Sequence, residues 1–326
     1  VDPKEIYFTS GGTESNNWAI RGAVEANKRN GNKIITTMVE HASVKSPMKY
    51  LENQGYEVTY LPVDEYGVVS IDALKEAMSE DTILVSIMYV NNEVGAIEPV
   101  EEIGKYIKSV NKNVIYHIDA IQAFGKLEIK PRKSNIDVLT VSGHKIHGPK
   151  GTGFMYLKKN AKVNPFILGG GQQEGMRSGT ENVPGIAGIG QAAKDCYDNL
   201  QENVSKMTEL KDYLIDSLQT IDGVTINSRK GAEGAPHVVS ASFSGVRSEV
   251  LLHALEDKGV YISAGSACSS NKPAISETLK AMGIGKDLLG STVRFSFCKD
   301  NTKEEIDYAV EQLKQMLPIL RKYVRR

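Results

Sequence analysis

The run 137–154, "DVLTVSGHKIHGPKGTGF", sets Ser142, His144 and Lys145 directly after an apolar, β-branched stretch. A lysine held by turns at a strand end can have its amine desolvated and its pKa lowered, as Schiff-base chemistry with an aldehyde requires. An ordinary loop lysine is the bland alternative. Ser142 and His144 offer a hydroxyl and an imidazole N–H suited to a phosphate. Asp119 closes a second apolar run, "NVIYHIDAIQAFGK". A carboxylate there is costly unless a cation meets it, and a protonated pyridine nitrogen or an internal salt bridge would serve. Gln122 follows closely and can add a hydrogen bond.

The stretch "FTSGGTESNNWAIRGAVEA" carries a strand into Gly11, Gly12 and Thr13 and then into an amphipathic helix. The opening N–H groups and the helix dipole favour an anion, and the glycines allow close approach. Neither GxGxxG nor GxxxxGK[ST] is present, which leaves a phosphate without a nucleotide. His41, in "TTMVEHASV", follows another strand; it is either structural or able to stack on a planar cofactor and exchange protons. A phosphate anchor, a partner for a pyridine nitrogen, a stacking ring and an aldehyde-bonding lysine together call for pyridoxal phosphate. Cys268 lies among small residues in "VYISAGSACSSNKPAIS", where a thiol is presented rather than packed and a nearby cation would favour the thiolate. Cys196 reads as a core residue and Cys298 as a strand-end residue. In "STVRFSFC", alternation sets Arg294 opposite Val293 and Phe295, with its fork available for an α-carboxylate.

These residues need a scaffold, and the first half supplies a regular one. Short β-branched runs alternate with helical text, which predicts an α/β fold whose mostly parallel sheet lies between helices. Ligands gather at the carboxyl ends of such strands, where Asn91, Asn92, Asp119 and Ser142 to Lys145 fall. Residues 182–221 read as a long helix or helix pair, and the remainder as a smaller α+β domain. The expected division is a cofactor-binding domain over 1–200 and a small domain over 201–326 that carries Cys268. With 326 residues, 40% of them hydrophobic, the chain can fill two cores. Its formal charge of -1 argues against a nucleic-acid or anionic-membrane surface. No apolar run reaches the roughly 20 residues of a membrane span. The three cysteines form no CxxC pair, so a cytoplasmic protein with neither disulfide framework nor metal centre is expected.

The segments "GGTESNN", "EH", "NNEVG", "DAIQ", "SGHKIHGPKG", "RSGTEN", "SAGSACSS" and "VRFSF" occur in the order found in the NifS/IscS-type cysteine desulfurases, which the whole chain resembles. The resemblance implies the fold type I architecture of pyridoxal-phosphate enzymes and conversion of L-cysteine to L-alanine. The sulfur would be held as a Cys268 persulfide and passed to acceptor proteins for iron–sulfur cluster assembly or tRNA thiolation. It implies that Lys145 bonds the cofactor, that Asp119 pairs with the ring nitrogen and that His41 stacks on the ring. Gln122 and Asn92 would hydrogen-bond near the ring oxygen, and Gly12, Thr13, Ser142 and His144 would bind the phosphate. Asn92 and Arg294 would meet the substrate, and Thr180 would reach the phosphate of the other subunit in a homodimer. Family members begin earlier, with a "DNAATT"-like segment, whereas this sequence opens "VDPKEIYFTSGG" and reads as one whose beginning is missing. The rival readings are a selenocysteine lyase, another fold type I aminotransferase or lyase with no use for Cys268, and an inactive truncated scaffold.

Overall fold

The structure is a computed structural model and describes residues 1–264 and 275–323. The chain forms two compact units, the first built from Val1–Pro62, Val69–Val90 and Glu98–Leu200. Its elements are β1 (Ile6–Thr9), α1 (Gly12–Asn27), β2 (Lys33–Thr37), α2 (Ala42–Asn53), β3 (Glu57–Leu61), α3 (Ile71–Ala77), β4 (Thr82–Met88), α4 (Val100–Val110), β5 (Ile115–Asp119), β6 (Val138–Ser142), β7 (Gly153–Leu157) and α5 (Val183–Asp198). The seven strands lie in the order β1-β7-β6-β5-β4-β2-β3. Every residue of β4, β5 and β6 is buried, as strands covered on both faces require. Strand β7 runs antiparallel to both β6 and β1, while the other pairings are parallel. Six strands therefore point the same way, and the carboxyl ends of β1, β2, β5 and β6 share one edge of the sheet.

Helix α1 packs Trp18, Ala19, Ile20, Ala23 and Val24 into a core with Met48 and Leu51 of α2 and with Ile34, Leu84 and Ile115 of the sheet. At the free edge, the Gln173 amide stands in for a neighbouring strand. The Phe8 N–H donates to Gln173 Oε1 at 2.5 Å, and Gln173 Nε2 donates to the Phe8 carbonyl at 2.9 Å. This covers backbone groups that an open edge would offer to another chain.

The second unit takes Val63–Val68, Asn91–Ile97 and Gln201–Arg326. It holds α6 (Leu200–Gln219), whose first residue closes the first unit, β8 (Val224–Ile226), β9 (Val238–Phe243), α7 (Ser248–Glu256), β10 (Ser263–Ala264), α8 (Glu277–Ala281), α9 (Lys286–Leu289), β11 (Thr292–Ser296) and α10 (Lys303–Leu320). An antiparallel sheet of order β10-β11-β9-β8 is covered by Leu210, Leu214 and Leu218 of α6 and by Ile306, Val310, Leu313 and Leu317 of α10. The α10 spacing of i, i+4, i+7 and i+11 is that of a one-sided apolar stripe. The predicted helical text 182–221 resolves into the pair α5 and α6.

Two segments from the first half of the chain join this unit through contacts that no local pattern announces. Val94 and Ala96 pack with Leu279 and Met282. Ala96 bridges Gly234, and Glu93 accepts from Ser276 Oγ at 2.5 Å and Thr278 Oγ1 at 3.1 Å. Among the described residues, no helix is long and apolar enough to cross a membrane.

Candidate active site

The turn from β1 into α1 packs directly on the end of β6. A Cβ on Gly11, whose φ is 146°, would stand 3.6 Å from Ser142 Oγ, and one on Gly12 would stand 2.2 Å from Ile121 Cδ1. Only glycine leaves this cradle open. The first N–H groups of α1 have no intrahelical partners and present the positive end of the dipole. Glu14 in the same turn would repel an anion, but its carboxylate accepts Arg177 Nε at 2.9 Å, Arg177 Nη2 at 3.1 Å and the Ser10 N–H at 2.9 Å. That bidentate pairing compensates its charge. Thr13 is exposed beside it.

Ser142 Oγ lies 2.7 Å from His144 Nδ1. Burial, with the positive charges of Lys145 and Lys150, holds the His144 imidazole below its usual value. Lys145 sits in the 3₁₀ turn Gly143–Ile146 and is exposed, not desolvated as its position after a buried strand suggests. The turn carries it beyond the last residue of β6, out of the covered layer. Its main-chain carbonyl accepts Lys126 Nζ at 2.9 Å, and burial pushes that amine down to about 8.

Asp119 ends β5, the parallel neighbour of β6, and is 4% exposed. Oδ1 accepts the Ile121 N–H at 3.0 Å and Oδ2 accepts Asn16 Nδ2 at 2.8 Å. Burial pushes the carboxyl up, against these two donors. A cation is what this carboxylate still requires. His41 caps α2, with Nδ1 accepting the Ser43 N–H at 3.1 Å and lying 2.8 Å from Ser43 Oγ. Gln122 is half-buried in the turn after Asp119.

In the second unit, Arg294 Nη1 donates to the main-chain carbonyl of Asn92 at 2.7 Å, so these two residues meet. Ser263 of β10 pairs with Arg294 of β11, and the segment bearing Cys268 follows β10 directly. Cys268 itself lies outside the described residues. Cys196 is partly buried against the cluster of Ile146, Ile189 and Ala192. Cys298 follows the end of β11, its N–H donating to Asn301 Oδ1 at 2.8 Å. Thr180 is exposed, two residues before the α5 cap Asn182.

Four site residues were not singled out from the sequence: Asn16, Glu40, Ser43 and Thr140, each under 9% exposed. Asn16 left a signal, a polar residue three and four positions before Ala19 and Ile20 on the buried stripe of α1. The first unit fits a phosphorylated pyridine aldehyde: it offers a glycine cradle at a helix start, a buried carboxylate short of a cation, an imidazole and a lysine.

A family model described as aminotransferase class-V matches residues 1–309. The chain is 43% identical over 321 residues to a cysteine desulfurase IscS of Methanosarcina thermophila, covering 98% of this chain and 79% of that one. It is 45% identical over 312 residues to a putative cysteine desulfurase IscS 1 of Bacillus subtilis, covering 95% and 82%. A solved NifS-like protein superposes with a TM-score of 0.91 at 39% identity, covering 98% of this chain and 84% of that one.

Proposed function

This chain belongs to the class-V aminotransferase family and, within it, to the IscS-type cysteine desulfurases, and on that footing we propose that Lys145, Asp119, His41 and Cys268 carry its reaction. The enzyme uses pyridoxal 5'-phosphate and takes sulfur from L-cysteine for transfer to acceptors. The observation that best supports the residue assignment is the arrival of Gly12, His41, Asp119 and Ser142 to Lys145 at the carboxyl ends of β1, β2, β5 and β6.

When bound, the cofactor supplies an electron sink conjugated to the substrate α-carbon. The Asp119 carboxylate would pair with the positive ring nitrogen, and His41 would stack on the ring. Gly12, Thr13, Ser142 and His144 would hold the phosphate, and Gln122 and Asn92 would orient the ring. Arg294 takes the substrate carboxylate in its fork. Lys145 would hold the cofactor through its Nζ, and its free amine would serve as the base for the α-proton. The Cys268 thiolate then attacks the substrate sulfur. A sulfur–sulfur bond forms as the carbon–sulfur bond breaks, the electron pair stays with the β-carbon, which takes up a proton, and return of the α-proton completes alanine. Cys268 is left as a persulfide that an acceptor protein removes. We assign the acceptor to iron–sulfur cluster assembly or tRNA thiolation in the cytoplasm. The enzyme would act as a homodimer in which Thr180 reaches the partner's phosphate.

The direct test is mass spectrometry of the purified holoenzyme after incubation with cysteine in the absence of reductant. The Cys268 peptide should be heavier by one sulfur, and Cys268→Ala should release no alanine. Alanine formation that survives Cys268→Ala would instead identify a lyase that does not use this thiol. Arg294→Lys should raise KM for cysteine by about 10-fold or more with a smaller change in kcat, because a single ammonium cannot replace a bidentate fork. Steady-state kinetics with an unaltered KM would remove Arg294 from the substrate site.

A further inference from the structure

Asn16 is fully buried, and each of its polar atoms is engaged. The carboxylate of Asp119 cannot donate, so the contact at 2.8 Å must be Asn16 Nδ2–H to Oδ2. That fixes the amide orientation. The second Nδ2 hydrogen goes to Ser43 Oγ at 2.9 Å, and Oδ1 accepts the Thr140 hydroxyl at 2.5 Å.

The remaining directions follow by counting hydrogens. Having given its only hydrogen to Asn16, Thr140 Oγ1 can only accept from His117 Nε2, at 3.4 Å. The imidazole of His117 is buried and neutral, so its Nδ1 accepts from Ser86 Oγ at 2.8 Å. At the other end, Ser43 Oγ accepts from Asn16 and gives its hydrogen to His41 Nδ1. The chain runs one way, from Ser86 through His117, Thr140 and Asn16, and splits between Asp119 and Ser43 with His41.

We propose that Asn16 is a positioning residue that holds Asp119 as an aimed anion and, through Ser43, fixes the ring of His41 with its proton on Nε2. The statement rests on the assignment of Asp119 and His41 to the cofactor. Every polar atom of Asn16 is taken by a protein partner, so it acts through those two residues. A buried charge-assisted hydrogen bond favours the ionised form of its acceptor, so its loss raises the proton affinity of that acceptor. The titratable groups around Asp119 are Glu40 and His41 on the β2–α2 link and His117 two residues earlier on β5.

The test uses two readouts. In the apoprotein, the side-chain carboxyl ¹³C signal of Asp119 is titrated in the wild type and in Asn16→Leu. In the holoenzyme, ¹⁵N NMR of ring-labelled pyridoxal phosphate reports the protonation of the ring nitrogen. Asn16→Leu should move the Asp119 midpoint upward and shift the ring nitrogen toward its unprotonated form. Ser43→Ala should alter the His41 ring ¹⁵N signals while leaving the Asp119 midpoint in place. Thr140→Val, which removes the hydroxyl that locks Oδ1, provides a milder lesion if Asn16→Leu does not fold, and Thr140→Ser should restore the wild-type midpoint. An Asp119 midpoint unmoved in Asn16→Leu, or in Thr140→Val should that variant stand in for it, overturns the inference. A midpoint that moves while the ring nitrogen does not respond overturns the assignment of Asp119 to the cofactor instead.

Discussion

Replacing Lys145 by alanine is expected to reduce alanine production from cysteine by at least ~10³-fold, because the covalent attachment of the cofactor and the base for the α-proton are lost together. The fold should survive intact. Lys145 is exposed, and the contact that anchors its turn, from Lys126 Nζ, is made to the main-chain carbonyl, which alanine keeps. The cofactor should therefore still bind, without its covalent bond, through the glycine cradle and Asp119. Single-turnover alanine release and the cofactor absorbance measure the two effects separately. A small primary amine added to the variant should restore part of the turnover. Activity within about tenfold of wild type would show that another group removes the proton.

A second large effect is expected from Glu40→Gln, this time on stability. Glu40 is 3% exposed, and its Oε1 accepts Thr37 Oγ1 at 2.8 Å and the Met88 N–H at 2.9 Å. Burial, helped by the nearby charge of Asp119, pushes its carboxyl up from 4.5 to about 8. Below pH 4.5 both the folded and unfolded chains hold this proton, and the contribution is fully present. As the pH rises from 4.5 towards 8 the unfolded chain ionises while the folded one does not, so stability is lost across that window and then levels off. Glutamine reproduces the protonated carboxyl and does not titrate. The variant should match wild type at pH 4.5 and exceed it by about 3 to 5 kcal/mol at pH 8. Urea midpoints measured across the range test this, and parallel pH curves for the two proteins would refute it.

The two expected results differ in how far the sequence could announce them. Lys145 and Asp119 were legible because β5 and β6 read as mostly apolar runs, buried along their whole length. A polar residue closing such a run marks a strand's carboxyl end, where parallel sheets hold ligands. The exposure of Lys145 was not legible, since a strand end and the 3₁₀ turn just beyond it look alike in a linear pattern. Glu40 and Asn16 are illegible in the sequence for a different reason. Their roles come from partners such as Met88, Asp119 and Thr140, between 48 and 124 residues away in sequence. Helical periodicity exposed the misfit of Asn16 on a buried stripe without naming what it touches. The same holds for 91–97, whose place beside Leu279 and Gly234 depends on contacts across most of the chain.

Those short segments have a consequence for heredity. The chain crosses from one unit to the other at 62/63, 68/69, 90/91, 97/98 and 200/201. A single recombination event at residue 200 would therefore deliver a second unit stripped of Glu93, Val94 and Ala96, the residues that hold α8. It would also strip Asn92, which meets Arg294. Neither unit can be inherited, exchanged or duplicated as one continuous piece of gene.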